Sequence, residues 1–173
     1  MKEGKGIRSA GFALFCVYLL LLIYILFFWF RGFSGDTTDT SLADYARYRS
    51  NFVPLRTIRI YWTYALQTAG AAAETADSFW HSYYLRNLAG NLVLFLPMGI
   101  FLPLLFSKLR RFWRTLLTTA LIVVCVEGLQ LLTRTGSCDV DDLILNLLGC
   151  AAGYLLWFAA SRLLHGKGIR TEG

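Results

Sequence analysis

Apolar residues in this chain fall in long unbroken blocks rather than at the spacing of a half-buried helix or strand. Residues 11–30 carry no charge, and a helix of that length, rising about 1.5 Å per residue, crosses roughly 30 Å of hydrocarbon. Three more blocks follow at 88–106 (interrupted by Pro97 and Pro103), 115–133 and 143–160. Each is predominantly apolar and predicts a membrane-spanning helix. The first block ends in Phe27-Phe28-Trp29-Phe30. These are interface aromatics rather than the small-residue cleavage site of a secretory signal, so the segment is expected to stay as an anchor. Between the first and second blocks lies a long mixed stretch, 31–87. Two parts of it, 58–64 and 79–85, are rich in aromatics and predict short amphipathic helices on the membrane surface. The expected fold is an all-α integral membrane protein with four transmembrane helices, a single domain over residues 1–173.

Composition narrows the class further. Of 173 residues, 56% are hydrophobic and 16% charged, where a soluble domain has about a quarter charged. Such apolar content excludes a disordered chain, and four cysteines are too few for a disulfide scaffold. Cys16, Cys125 and Cys150 lie within apolar blocks, Cys138 alone among polar residues, so spacing supports no intramolecular disulfide.

The formal net charge is +6, but its distribution reports topology rather than nucleic-acid binding. Lys2, Lys5 and Arg8 precede the first block, Lys108, Arg110, Arg111 and Arg114 separate the second from the third, and Arg162, Lys167 and Arg170 follow the fourth. These clusters all fall on one side, which the positive-inside rule makes cytoplasmic, together with both termini. Residues 31–87 and the turn 134–142 then face outward. Arg47, Arg49, Arg56, Arg59 and Arg86 in the long segment are compatible with this, because long loops translocate largely regardless of charge.

Polar residues inside the spans are the candidates for chemistry, since a charge near the bilayer centre costs roughly 2.5–3.5 kcal/mol on insertion scales. Glu127, Gln130 and Arg134 are spaced i, i+3, i+7 on one face of the third span, and Asp142, Asn146, Gly149 and Gly153 share a face of the fourth. Asn87 and Asn91 stand a turn apart at the start of the second. Three helices thus offer polar groups to one layer of the outer leaflet. Each has a structural explanation: Asp139, Asp141 and Asp142 as helix-capping carboxylates, Arg134 at a helix C-terminus, the amides as interhelical hydrogen bonds, and Gly149 and Gly153 as a close-packing contact. Glu127 is the hardest to explain that way, because a carboxylate at that depth needs a partner, a proton, a metal or water.

In a functional reading, Asn91, Glu127, Gln130, Arg134, Asp139, Asp142 and Asn146 form a substrate-binding layer. Arg134 is suited to a phosphate or carboxylate. Glu127 is the candidate general acid or base, and Asp139 and Asp142 orient Arg134 or hold a divalent cation. No nucleophile with an adjacent histidine is visible, His81 being in the long segment and His165 on the cytoplasmic side. An enzyme and a binding protein both remain open. The cytoplasmic halves of the spans lack the polar groups a solute pathway needs, which disfavours a transporter.

Four pieces in this order resemble the VanZ-like family of small bacterial membrane proteins: Asn51-Phe52-Val53-Pro54-Leu55; Asn91-Leu92-Val93-Leu94-Phe95-Leu96-Pro97-Met98-Gly99; Glu127-Gly128-Leu129-Gln130; and Asp139-Val140-Asp141-Asp142 continuing through Asn146 to Gly149. Leu55 stands where the family's first piece usually has Phe, and the segment between Pro54 and Asn91 is longer and richer in alanine. The resemblance implies a bacterial plasma-membrane protein acting against lipidated glycopeptide antibiotics such as teicoplanin. Its implied partners are membrane lipids and a cell-wall lipid precursor or the lipoglycopeptide itself. The alternative is a non-catalytic structural or interaction protein of the cell envelope.

Overall fold

The computed structural model describes residues 3–29, 41–71 and 83–166, and these are mostly helical. The elements are α1 (Glu3–Tyr24), running into a π-helical turn (Ile25–Trp29), then α2 (Leu42–Arg49), β1 (Ser50–Asn51), α3 (Arg56–Ala71), α4 (Tyr83–Leu105), a short 3-10 turn (Ser107–Leu109), α5 (Phe112–Leu132), β2 (Cys138–Asp139) and α6 (Val140–Gly166).

Among the described residues four helical stretches are long and apolar enough to cross a membrane: Ser9–Phe28, Leu88–Leu105, Phe112–Leu132 and Val140–Leu163. They match the four apolar blocks, with ends displaced for local reasons. The last helix begins at Val140 rather than near 143, because Asp139 caps it by accepting the Asp141 N–H in its first turn. The second begins at Tyr83, so the expected surface helix at 79–85 is in part the first turn of α4, and residues 79–82 lie outside the described residues. Residues 58–64 are the middle of the longer α3, on which Ile60, Trp62 and Leu66 are exposed.

The spans share a small core of Leu22, Leu26, Phe95, Met98, Leu102 and Val123. Leu20, Leu121 and Leu155 are exposed on its outside, as contact with lipid hydrocarbon allows. Lipid tails are as apolar as leucine, so these helices associate through close packing and interhelical hydrogen bonds. The most extensive contact is between α4 and α6. A Cβ on Gly149 would strike the Leu92 carbonyl, one on Gly153 the Leu96 carbonyl, and one on Gly99 the Cys150 carbonyl. Three glycines from two helices therefore bring the backbones together, confirming the packing reading of Gly149 and Gly153. α4 continues through both prolines, although each lacks the N–H that would bond the carbonyl four residues earlier.

α1 leans mainly on α4, where Tyr18 Oη–H donates to the Leu94 carbonyl at 2.7 Å. At the basic end, Tyr154 Oη–H donates to the Arg110 carbonyl (2.6 Å), joining α6 to the turn before α5. Thr115 Oγ1–H does the same to the Leu109 carbonyl at 2.5 Å.

The glycine contact gives a direct test. Gly153→Leu is expected to lower the melting temperature in detergent by an amount equivalent to at least about 2 kcal/mol, since no flexible neighbour can move aside. Gly128→Ala, with nothing within 4 Å of the new Cβ, is expected to be neutral or stabilising by up to about 1 kcal/mol through helix propensity.

Candidate functional site

Two turns remote in sequence close the polar end of the bundle. β1 and β2 pair in parallel, Ser50 opposite Cys138 and Asn51 opposite Asp139. Asn51 makes an Asx turn, its Oδ1 accepting the Val53 N–H (3.2 Å), while its Nδ2 donates to Asp139 Oδ1 and Thr57 Oγ1, both at 3.0 Å. Leu55 is left-handed, with φ of 64°, a conformation costly for a residue with a Cβ. It directs the chain into α3, whose first N–H groups have no partner within the helix.

Asp141 supplies that partner from the start of α6. Its carboxylate accepts the N–H of Leu55 (2.5 Å), Thr57 (2.7 Å) and Ile58 (3.1 Å), and the residue is 0% exposed. Asp139 caps its own helix, with Oδ1 accepting the Asp141 N–H (2.9 Å), while Oδ2 accepts the Thr57 hydroxyl (2.6 Å).

Beneath this interlock lies a layer of polar side chains on the spans. Glu127 on α5 is 8% exposed, with Oε2 facing the Cys138 thiol at 3.5 Å and Oε1 buried with no hydrogen-bond partner. Asp142 on α6 accepts from Asn91 Nδ2 on α4. It is near enough to Glu127, Asp139 and Asp141 for their charges to interact. Asn146, a turn deeper on α6, is 5% exposed, and its Oδ1 also has no partner. Cys138, between β1 and α6, reports the field of the layer: burial first, then the charge of Glu127, pushes its thiol up to about 11. The thiol is neutral at physiological pH, so it is a weak donor and not a nucleophile.

A family model described as VanZ/LLP1 matches residues 15–163. The chain belongs to the VanZ/LLP1 family. No curated protein and no solved structure matches it. The matched region contains both halves of the interlock and, save the first turns of α1, all four apolar helices, so this member of the VanZ/LLP1 family is a multi-pass membrane protein.

Measured against the layer expected from sequence, Asn91, Glu127, Asp142 and Asn146 come to one end of the VanZ/LLP1 bundle on three helices. Gln130 turns instead to α1, its Nε2 donating to the Leu26 carbonyl (2.9 Å) in the π-helical turn. Arg134 is the left-handed residue of a Schellman end to α5, with φ of 55°: its N–H bonds the Leu131 carbonyl and the Thr135 N–H bonds that of Gln130. Its guanidinium lies 6.0 Å from the ring centre of Tyr45, whose hydroxyl donates to the Gly136 carbonyl. Asp139 is an N-cap, the structural role open to it from sequence.

A divalent cation was one of two roles open to Asp139 and Asp142, and the residues around them do not suit one. Both Asp139 oxygens already accept hydrogen bonds, and no three Asp, Glu, His or Cys side chains among the described residues are grouped so as to hold a metal ion. The side chain of Asn87 and the whole of His81 lie outside the described residues. Sequence reasoning missed Asn51 and Thr57 as partners of the aspartates. It took Asp141 for a cap of its own helix, whereas Asp141 caps α3. The signal available was the family-like Asn51 piece, whose amide had no assigned partner.

Beside the interlock lies an open groove of about 680 Å³, lined by apolar Val53, Leu55, Ile58 and Trp62 and by the cations of Arg56 and Arg59.

Two outcomes follow from the geometry. Asp141→Asn is expected to lower stability by about 3 kcal/mol, because the charge-assisted bonds from a buried carboxylate to three backbone amides are weakened. Protease cleavage between 41 and 71 should accelerate in parallel. Alkylation of Cys138 by iodoacetamide, followed by peptide mass, should be slow at pH 8, where a thiol of that pKa is about one-thousandth ionised. The rate should rise with pH towards 11, and Glu127→Gln should move this profile to lower pH by removing a neighbouring negative charge.

Proposed function

We propose that this VanZ/LLP1-family protein lies in the bacterial plasma membrane with its basic end and both termini cytoplasmic, so that the polar end faces outward. There it binds or modifies a lipid-linked or amphiphilic molecule of the outer leaflet, a cell-wall lipid precursor or a lipidated glycopeptide. In doing so it confers or modulates resistance to teicoplanin-type antibiotics. The observation that carries this reading is the pair of buried acceptors without partners, Glu127 Oε1 and Asn146 Oδ1, in a layer where every neighbouring carboxylate is hydrogen-bonded. A native fold rarely leaves buried polar atoms unpaired, and where it does they mark strain or a site awaiting a ligand.

Asn91, Glu127, Asp142 and Asn146 form the floor of this site, with Glu127 as the candidate acid or base. Gln130, Arg134 and Asp139 hold its walls through α1, the end of α5 and the segment 51–57. The groove beside α3 suits the amphiphile's apolar part, and Arg56 and Arg59 suit an anionic group on it.

A structural or interaction protein of the envelope is the second reading, favoured by the complete engagement of Asp139 and Asp141 in tethering α3. The two readings part at Glu127. Expressed in a sensitive Gram-positive host at matched membrane levels, the wild type should raise the teicoplanin inhibitory concentration several-fold with little change for vancomycin. Glu127→Gln should lose that protection while melting no lower than wild type. Equal teicoplanin values for the wild type and an empty vector would remove the antibiotic reading.

A further inference from the structure

The orphaned acceptors specify what kind of group they would bind. Glu127 presents a carboxylate oxygen and Asn146 an amide oxygen, each on a residue more than nine-tenths buried, with no donor to either. Asp142 and Asp139 stand close enough to Glu127 for charge interaction. The donors to these carboxylates from the described residues are neutral: amides of Asn51 and Asn91, the Thr57 hydroxyl, the Cys138 thiol and a backbone N–H. A phosphate or carboxylate entering this layer would meet like charge and more acceptors. A metal ion does not find three grouped ligands among the described residues. A primary ammonium group supplies what is lacking, a positive charge and three N–H donors on one atom.

We propose that the two unpartnered acceptors, Glu127 Oε1 and Asn146 Oδ1, take the primary ammonium group of an amphiphile lying in the same leaflet. The inference rests on the reading of the polar end as an outer-leaflet binding site, and it names the part of the ligand that enters the spans. Ammonium N–H donors bond Glu127 Oε1 and Asn146 Oδ1, and Asp142 adds charge from α6. The apolar chains stay in lipid, so the headgroup descends only the first turns of the helices. Quaternary ammonium, which has the charge but no N–H, leaves both acceptors unsatisfied and binds weakly.

The test uses the full chain in detergent and two probes labelled on the acyl chain, phosphatidylethanolamine and phosphatidylcholine, which differ at the headgroup nitrogen. Wild type is expected to bind the ethanolamine lipid about tenfold more tightly, the ratio that about 1.4 kcal/mol provides. Glu127→Gln and Asn146→Leu should each bring the ratio close to one, with melting temperatures showing that the variants are folded. Equal binding of the two lipids by wild type overturns the proposal without recourse to any variant, as does a preference that survives both substitutions.

Free ethanolamine as a competitor identifies the source of the amine. Competition supports an ammonium group recognised alone, and failure to compete supports one recognised only on a chain-bearing amphiphile. The inhibitory-concentration assay separates this inference from the broader one. Glu127-dependent teicoplanin resistance with equal binding of the two lipids overturns the ammonium assignment and leaves the site standing. A tenfold lipid preference without any drug phenotype supports the ammonium assignment and removes the antibiotic role.

Discussion

The carboxylate of Asp141 and the three backbone N–H groups it accepts hold the polar end of the protein in register. The first turn of any helix exposes amides that need acceptors. For α3 the acceptor comes from the first turn of α6, more than 80 residues further along the chain. That arrangement fixes the left-handed Leu55, places Thr57 and Asn51 against Asp139, and lays β1 beside β2. Asp139 in turn caps α6, so one cluster sets the start of two helices. Among the described residues of the segment between the first two spans, these polar bonds tie it to the bundle.

Lipid explains why the remaining contacts take the form they do. Where solvent tails match side chains in polarity, burial gives helices little reason to associate, and what remains is backbone proximity and satisfied polarity. Gly99, Gly149 and Gly153 supply the proximity between α4 and α6. Tyr18 and Gln130 supply polar links between α1 and its neighbours. The four spans are thereby unequal: α4 and α6 form a tight backbone pair, and the first span is attached through side chains, by the bonds of Tyr18 and Gln130 and by apolar contacts such as Leu22 and Phe15. Against this frame of satisfied groups, the unbonded oxygens of Glu127 and Asn146 stand out, and both lie within the first turns below the interlock.

Much of the fold was legible in the sequence. Four apolar blocks became four helices, with ends displaced by a few residues. The convergence of Asn91, Glu127, Asp142 and Asn146 could also be read, because spacing along a helix fixes the face and distance from the block's end fixes the depth. The roles within the layer were less accessible. That the backbone of Arg134 ends α5 in a left-handed conformation, and that the Gln130 amide reaches the Leu26 carbonyl, is not written in their spacing.

What the sequence by itself determined is what depends on contiguous residues: the number and length of the apolar crossings, the segregation of basic clusters to one end, and the concentration of polar side chains at the other. What only the tertiary structure decided is which partner each polar group takes. The reason is physical. Asp141 and Gln130 bond backbone amides and carbonyls, and every residue has these, so no side-chain pattern marks the chosen ones. Asp139 and Asp141 sit two residues apart at the same helix start, yet one caps its own helix and the other a helix from a distant part of the chain. That division follows from where α3 comes to rest, which no local periodicity encodes.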